Sequence, residues 1–409
     1  MTGAEGPIGV AMVGPYPLEE GKVSGGIEGV AAALTQGLRA LPGVELQIIT
    51  ASPDSSLAGR FSGPGLTVVP QSNRLRRLTF YRQERRRTLQ CIRNASPDVV
   101  HVQGQNWFAM AALASGYPTV VTLHGMLGKE APLIDRRSAL LEQLSKRMRG
   151  LFNARFEGEV LRRARHIIVI SPYVQECIEG RAKARLYHIP NPIDDAFFEV
   201  DRPGREAPDR LLLVASLEPR KGLYFALEAL AALRQRRPQV RLRIVGPTLD
   251  AGYARALRRY VSDHGLEGNV RFLGFIDQQQ LLREYAECCL LLLTSREETS
   301  PLAVQQAMAA GRAVVATSVG GIPHLIDDGV RGGLLAPWGD VASLVNAVDL
   351  LLSDRALRLR LGDAGKKRAL ARFRIDIIAR QTVDVYRQVM EQERHTAAAA
   401  PLSVAMEER

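Results

Sequence analysis

Two adjacent carboxylates stand between an apolar run and a helical pattern, in the stretch TSREETSPLAVQQAMAAG from Thr294 to Gly311. The preceding CCLLLL is short enough to be a buried strand, and Thr299 or Ser300 can cap a helix that Pro301 would begin. The amides at such a helix start attract phosphate. Glu298 beside them suits a ligand that also carries sugar hydroxyls, although the acids could instead only favour the helix dipole.

A basic turn, EPRKG, follows the strand-like run RLLLVASL. Arg220 and Lys221 should therefore lie at the carboxyl end of a strand, where they could reach the same ligand and neutralise a diphosphate. A solvated basic turn is the alternative, since charged side chains are usually exposed. Gly25 and Gly26 in SGGIEG follow the first strand and would let the backbone approach a ligand closely.

Two histidines end strand-like runs in the first half of the chain. His124 in TVVTLHG precedes a glycine and should face the ligand, and His101 in DVVHVQG is placed similarly. Both could instead be structural, because histidine is often partly buried. The sequence has no D-x-D motif and no paired histidines at metal-ligand spacing, so we expect no metal site. Lys221, Arg220 and helix amides would then stabilise the diphosphate charge.

The elements that position these residues follow from alternating strand and helix patterns, which predict parallel, doubly wound sheets. One set runs from IGVAMVG to RLYHIP and a second from RLLLVASL to GGLLAP, separated by the polar segment 194–210. We predict an α/β protein with two Rossmann-like domains whose sheets face an interdomain cleft, since such sheets bind ligands beyond the carboxyl ends of their strands. The G-x-G-x-x-G fingerprint is absent, which argues against hydride transfer.

The composition limits the class of protein. The 409 residues are 46% hydrophobic, and 54 basic against 43 acidic residues leave a net charge of +11, which favours anionic ligands or surfaces. Neither a secretory leader pattern nor an apolar run of membrane-span length is recognised. The four cysteines lack C-x-x-C spacing and suit a reducing compartment, with Cys288 and Cys289 in the core. We therefore expect a cytoplasmic protein.

Two basic stretches that also contain apolar residues lie in the first half, RLRRLTFYRQERRR and SKRMRGLFNARFEGEVLRRARH. They could dock on an anionic membrane and reach a lipid-linked acceptor, which would make the protein peripheral on the inner face of the membrane. They could equally be ordinary solvated helix faces. The aromatic platforms and module signatures of nucleic-acid-binding proteins are missing, so no nucleic-acid partner is expected.

Together these residues resemble the retaining glycosyltransferases of family 4 (glycosyl transferases group 1), which have the GT-B fold. The resemblance extends from Ile8 to Met390, and its strongest element is EETSPLAVQQAMAAGRAVVATSVGGIPHLIDDGVRGGLLAP, which is similar to the family's E-x7-E segment and the glycine-rich stretch after it. SGGIE, TLHG, HIPNPID, LEPRKG, LRIVG and VRFLGFI are supporting matches.

The resemblance implies transfer of a hexose-type sugar from a nucleotide-diphosphate sugar to a hydroxyl of a glycan, lipid or lipid-linked acceptor. Anomeric configuration would be retained, no metal or other cofactor would take part, and a UDP- or GDP-sugar would be preferred to an ADP-sugar. The departing phosphate would take the proton of the attacking hydroxyl, so no protein nucleophile is needed.

The resemblance also implies roles for particular residues. Glu298 would bind donor-sugar hydroxyls, Lys221 would bind phosphate and His124 would lie near the reacting carbon, so these three are the candidate catalytic residues. The backbone at Gly274–Ile276 would lie along the nucleobase. The remaining candidate donor-binding residues are Gly25, Gly26, Ser216, Arg220, Gly246, Phe275, Ile276, Thr299, Ser300, Pro301, Leu302 and Gln306.

Three positions depart from the family's pattern. Gln306 stands where the second acid of E-x7-E is expected, Ser216 stands where an arginine is often found, and His324 replaces the glutamate that commonly follows GGIP. In the family, the second acid of E-x7-E binds ribose hydroxyls of the donor. A glutamine brings no charge to these hydroxyls, so weaker donor binding is expected.

We predict an N-terminal acceptor-side domain over residues 1–195 and a C-terminal nucleotide-sugar-binding domain over 196–380. A helix over 381–395 would cross back onto the first domain, and 396–409 would form a flexible tail. Two alternatives stay open: a degenerate family member that binds a nucleotide sugar without transfer, and a sugar-nucleotide epimerase or hydrolase, whose acid and base carboxylates the sequence does not place.

Overall fold

The computed structural model describes residues 6–19, 25–54, 65–71, 79–126, 140–200, 206–326 and 330–399. Within these ranges the chain forms two parallel sheets of seven and six strands, each flanked by helices. The predicted α/β class with two doubly wound, Rossmann-like domains is confirmed.

The first domain is built on a sheet in the order β3-β2-β1-β4-β5-β6-β7. Its strands are β1 (Ile8–Val13), β2 (Val44–Ser52), β3 (Leu66–Pro70), β4 (Val99–Gln103), β5 (Thr119–Leu123), β6 (His166–Val169) and β7 (Arg185–His188). Its described helices are α1 (Gly26–Arg39), α2 (Arg82–Ala95), α3 (Trp107–Ala112), α4 (Leu140–Arg163) and α5 (Pro172–Ile178). Every residue of β4 and β5 is buried, because helices cover both faces of a parallel sheet.

The second domain has a sheet in the order β10-β9-β8-β11-β12-β13. Its strands are β8 (Arg210–Val214), β9 (Arg241–Val245), β10 (Val270–Gly274), β11 (Leu290–Leu293), β12 (Ala313–Thr317) and β13 (Gly333–Ala336). Its described helices are α6 (Leu223–Arg234), α7 (Ala251–Asp263), α8 (Gln278–Glu287), α9 (Leu302–Ala309), α10 (Ile322–Leu325), α11 (Val341–Ser353) and α12 (Arg355–Arg372).

The short, apolar strand β11 lies at the centre of the second domain's core. All four leucines of β11 are at most 1% exposed and pack between the helices on both faces. Burying one such side chain contributes about 1.5–3 kcal/mol. Strand β11 pairs in parallel with β12 from Leu290 opposite Ala313 to Leu293 opposite Ala316, which fixes where the loop carrying the carboxylates leaves the sheet.

The last helix, α13 (Ile375–Ala399), returns to the first domain and packs on α1. Gly37 permits this contact, because a Cβ there would lie 2.9 Å from the Cβ of Ala379. The predicted bounds 381–395 are too narrow: the helix begins as soon as the chain leaves the backbone bridge between Ile193 and Arg374. The start of the predicted tail, up to Ala399, is helical, and residues 400–409 lie outside the described residues.

One predicted helix start is corrected. Pro301 occupies the N-cap of α9 with an extended backbone and no side chain caps the helix, so neither Thr299 nor Ser300 has the predicted capping role. The Thr299 hydroxyl bonds to the first domain instead. The basic stretch around α2 is helical from Arg82 onward, and residues 72–78 lie outside the described residues.

The cysteines agree with the prediction: all four are free, and Cys288 and Cys289 are buried. In the described part of the chain, every helix falls short of the length and apolarity needed to cross a membrane.

Candidate functional site

The order of the second sheet brings the predicted donor-binding residues to one edge. Strands β10, β9, β8 and β11 are neighbours and run parallel, so their carboxyl ends lie side by side. The chain leaves these four ends at Phe275, Gly246, Ala215 and Thr294, respectively, and such an edge is where parallel sheets bind ligands.

Glu298 and Lys221 form the centre of this edge. Lys221 follows β8 and Glu298 follows β11, and the Lys221 ammonium Nζ donates to Glu298 Oε1 over 2.6 Å. Ser295 Oγ donates to the same oxygen over 2.7 Å, and Arg220 Nη1 lies 3.9 Å from Glu298 Oε2. The predicted sugar-binding acid and the predicted phosphate-binding lysine are therefore direct partners.

Glu298 is only 6% exposed, and burial alone would raise the pKa of its carboxyl. The positive charges of Lys221 and Arg220, with the hydrogen bonds from Lys221 and Ser295, outweigh burial and lower that pKa below its usual value. The carboxylate is therefore ionised at neutral pH, and it accepts hydrogen bonds without donating one.

The loop that carries Glu298 is held by its own backbone against glycines. Gly321 N donates to the Glu298 carbonyl over 2.8 Å. A Cβ on Gly320 or Gly321 would collide with the Glu298 or Thr299 carbonyl oxygen, respectively. Gly222, at φ +62°, lies against the Thr294 carbonyl in the same way. The glycines after β12 and before α6 thus fix the direction in which the carboxylate points.

The same loop also contacts the first domain. The Thr299 hydroxyl donates to the His124 carbonyl over 2.8 Å, and the Ser171 hydroxyl donates to the Thr299 carbonyl over 2.8 Å. The Tyr173 hydroxyl donates to Glu297 Oε1 over 2.7 Å. These bonds bring His124, at the end of β5, to the loop that carries Glu298.

His124 is held by a neutral partner. Its Nε2 lies 2.7 Å from Gln103 Oε1. Burial lowers the pKa of His124 to about 4, partly offset by a hydrogen bond with Asn191. The imidazole is therefore neutral at neutral pH and can form hydrogen bonds without adding charge to the site.

His101 does not face the cleft. Its side chain is 1% exposed, and its ring contacts Tyr386 of α13 through Nδ1 and Thr122 through Nε2, each over 2.7 Å. Burial, and secondarily the neighbouring His124, lowers the pKa of His101 to about 3. Of the two interpretations left open for this residue, the structural one is supported.

The glycine turn at the start of α1 reaches the second domain. Gly25 is exposed at the N-cap of α1, and the Cα of Gly26 faces Leu302, whose Cδ1 lies 3.5 Å from where a Cβ would be. The backbone of Gly25 is extended (φ −162°), so small size and not an unusual conformation is what glycine contributes there.

The remaining predicted donor-binding residues differ in exposure. Phe275 is 48% exposed at the end of β10, whereas Ile276 packs against the core. Gly246 is buried with φ +147°. A Cβ there would collide with the Ala215 carbonyl oxygen, so the neighbouring backbone leaves no room for a side chain at this strand end. Gln306 Oε1 accepts a hydrogen bond from the Tyr285 hydroxyl over 3.2 Å.

Ser216 and His324 also have partners within the protein. The Ser216 hydroxyl donates to Glu218 Oε1, which also receives a bond from Arg220. Arg220 thus approaches Glu298 from the basic turn. His324 lies 3.5 Å from Glu176 of the first domain.

Sequence reasoning missed three polar side chains at this site, Gln103, Asn191 and Tyr173. A signal existed for Gln103: it lies two residues after His101 in the buried strand VVHVQ, and period-2 alternation places both on one face. Polar side chains on one face of an otherwise apolar internal strand indicate a buried polar network. Asn191 and Tyr173 carry no comparable local signal.

Two family models match the chain. Residues 24–197 match Glycosyltransferase Family 4, and residues 197–368 match Glycosyl transferases group 1. Glycogen synthase of Mycobacterium tuberculosis is 30% identical over 76% of this chain and 73% of its own length. Phosphatidyl-myo-inositol mannosyltransferase of the same organism is 27% identical over 93% of this chain and 97% of its own length.

Solved structures show the same fold. Anabaena Alr3699/HepE, in complex with UDP and glucose, has a TM-score of 0.71 and 20% identity over 92% of this chain and 99% of that protein. Sucrose-phosphate synthase of Thermosynechococcus elongatus has a TM-score of 0.72 and 22% identity over 94% of this chain and all of that protein (100%). The chain belongs to glycosyltransferase family 4 and has the GT-B fold.

Proposed function

We propose that this glycosyltransferase moves a hexose-type sugar from a nucleotide-diphosphate sugar to an acceptor hydroxyl, with retention of anomeric configuration and without a metal. The observation that carries the proposal is the ion pair between buried Glu298 and partly buried Lys221 at the carboxyl edge of the second sheet, next to His124 of the first domain. This edge combines an acid for hydroxyls with cations for phosphate.

The pair can serve the donor without separating. An ammonium group has three hydrogens, and the bond to Glu298 uses one of them, so Lys221 can also donate to a phosphate oxygen. Glu298 Oε1 receives Lys221 and Ser295, whereas Oε2 has Arg220 at 3.9 Å and accepts no hydrogen bond within the described residues. Oε2 can therefore accept hydrogen bonds from donor-sugar hydroxyls.

In the proposed reaction the acceptor hydroxyl attacks on the side from which the nucleotide leaves. The departing phosphate takes the hydroxyl proton, and Lys221 and Arg220 stabilise the negative charge that develops on it. Neutral His124 would hydrogen-bond the sugar near the reacting carbon. Contacts such as that between Thr299 and His124 would hold the domains together and exclude water.

For the donor we propose a UDP- or GDP-sugar, because Anabaena HepE is described in complex with UDP-glucose. For the acceptor we propose a glycan, lipid or lipid-linked hydroxyl, because the mannosyltransferase relative is named for phosphatidyl-myo-inositol. A lipid-linked acceptor would suit a cytoplasmic protein that docks on anionic membrane through its basic first domain.

A screen of UDP-, GDP- and ADP-sugars by thermal shift, followed by transfer assays with and without EDTA, tests the proposal. We expect one nucleotide class to raise the melting temperature, since a ligand that binds only the folded state stabilises it. Turnover should persist in EDTA, and proton NMR of the product should show the donor's anomeric configuration. Binding without release of nucleotide from any donor would favour a degenerate member, and an EDTA-sensitive reaction would contradict metal independence.

A further inference from the structure

A chain of buried hydrogen bonds runs from the last helix to His124. Tyr386 of α13 contacts His101 Nδ1, and His101 Nε2 lies 3.2 Å from Gln103 Nε2. The other end of the Gln103 amide, Oε1, lies 2.7 Å from His124 Nε2. His101 and Gln103 are each 1% exposed. Gln103 is thus the link between a structural histidine and the histidine at the cleft.

Met12 determines which way the Gln103 amide points. The thioether Sδ of Met12 lies 3.1 Å from the nitrogen end of that amide. A thioether sulfur is a weak acceptor and cannot donate, so it tolerates an N–H and repels a carbonyl oxygen. Rotating the amide by half a turn would place its oxygen against this sulfur. The oxygen end must therefore face His124.

We propose that Gln103 is a positioning residue that fixes His124 in the tautomer with hydrogen on Nε2, so that Nδ1 is left as a hydrogen-bond acceptor. Because Gln103 Oε1 can only accept, the His124 nitrogen facing it must carry the hydrogen. In a neutral imidazole the other nitrogen then has a lone pair.

The remaining bonds of the network agree with this direction. The Gln103 N–H at 3.2 Å and the Thr122 hydroxyl at 2.7 Å share the single lone pair of His101 Nε2, so His101 carries its hydrogen on Nδ1 and donates to Tyr386. Asn191, the other polar neighbour of the His124 ring, acts in the opposite direction: its buried amide oxygen has no donor within the described residues and could accept from an Nδ1–H, so the proposed tautomer depends on the 2.7 Å contact with Gln103 Oε1.

The tautomer restricts what His124 can bind. A neutral ring with its Nδ1 lone pair toward a ligand accepts from a hydroxyl and cannot donate to a phosphate oxygen, which is itself an acceptor. This consequence rests on the proposed function: His124 would bind a sugar or acceptor hydroxyl, and the phosphates would be left to Lys221 and Arg220. The tautomer itself is a property of the protein without any ligand.

Histidine side-chain NMR tests the tautomer directly, with resonances assigned by His124→Gln. In the ligand-free wild type we expect the Nε2–H pattern for His124. Gln103→Met, similar in length but without a strong acceptor, should give a mixture of tautomers. An Nδ1–H tautomer in the wild type, which would pair with the Asn191 oxygen, or no change in Gln103→Met, would overturn the proposal.

Kinetics give a second, separate readout. We expect Gln103→Met to lower kcat/KM for the donor about tenfold, the equivalent of about 1.4 kcal/mol. The matched control is Gln47→Met on β2, whose side chain bonds to Thr67 and Gly65 away from the site, and it should leave kcat/KM unchanged. If no donor is turned over by any form, the proposed function fails, while the NMR result still decides the tautomer.

Discussion

The two sides of the cleft arrange their polar groups in opposite ways. The second-domain side is charged, with buried Glu298 bonded to Lys221 and its pKa lowered by neighbouring cations. The first-domain side is neutral: burial lowers the pKa of His124 to about 4 and that of His101 to about 3, and Gln103 connects them.

This difference indicates a division of work. A diphosphate needs cations, and Lys221 can be kept in a mostly buried position because Glu298 balances its charge. A neutral side adds directional hydrogen bonds without adding charge, which suits hydroxyls of the donor sugar or the acceptor. Removing a charge on one side should therefore cost more than removing a neutral group on the other.

The largest effect is expected for Glu298→Gln. It leaves Lys221 without its anionic partner and replaces one carboxylate oxygen by an NH2 group that cannot accept from sugar hydroxyls, so kcat/KM should fall at least about 100-fold, or about 2.7 kcal/mol. Steady-state transfer assays measure it. The matched control is the adjacent Glu297→Gln, whose carboxylate accepts from Tyr173. Equal losses of kcat/KM in the two variants, or unchanged turnover in Glu298→Gln, would contradict a specific role of Glu298 in binding the donor.

Lys221→Met should be next in size. We expect the donor's Kd to rise about 30-fold, since the phosphate loses its charged donor, while the Glu298 pKa rises because its nearest cation is gone. Titration calorimetry with a nucleoside diphosphate and with the nucleoside alone separates the contribution of the phosphates to binding from that of the nucleoside. Only diphosphate binding should weaken, and exposed Lys183→Met should change neither. Equal weakening of nucleoside binding would argue against a phosphate role.

The pH dependence of stability should separate the two sides. The folded-state pKa values of His101 and His124 lie below the usual 6.5, so the unfolded chain takes up protons first as pH falls. Their contribution is complete above pH 6.5 and is lost as pH falls toward about 4 and about 3. Glu298, with a pKa below its usual 4.5, loses its contribution only below that value.

Urea unfolding at a series of pH values measures this difference. We expect the free energy of unfolding to fall by about 5 kcal/mol between pH 6.5 and pH 4 in the wild type, because each histidine contributes about 1.4 kcal/mol per pH unit over most of this interval, and by about half as much in His101→Gln. The exposed His188→Gln serves as the control and should keep the wild-type slope. If the free energy of unfolding of His101→Gln has the same pH dependence as the wild type, burial does not lower the pKa of His101.

The smallest effect is expected for Gln306→Glu. This change restores the second acid of the family's pattern, and the new carboxylate can still accept from Tyr285. Nucleotide binding should tighten about threefold, or about 0.7 kcal/mol, through a charge-assisted bond to a ribose hydroxyl. The matched control is Gln235→Glu, which is exposed at the C-terminal end of α6, away from the strand ends, and should leave nucleotide binding unchanged. Weaker binding in Gln306→Glu would place the ribose elsewhere.

Much of the site could be predicted from the sequence because its residues follow strand ends. Glu298 and Lys221 lie after apolar runs that form β11 and β8, and adjacency of these parallel strands brings them to one edge. The helix cap was predicted incorrectly because Thr299 has a better partner in the first domain, which a local pattern does not contain. Gln103 was missed because its role depends on Met12 and His101 together.

The sequence by itself determined the alternation of strands and helices, hence two parallel sheets, because hydrophobic periodicity acts over a few residues. Tertiary structure decided which polar groups are partners. Lys221 and Glu298 are 77 residues apart, and His101 and Tyr386 are 285 apart. Bonds over such separations depend on strand order and on the return of α13 to the first domain, so only the packed structure shows that one side of the cleft is charged and the other neutral.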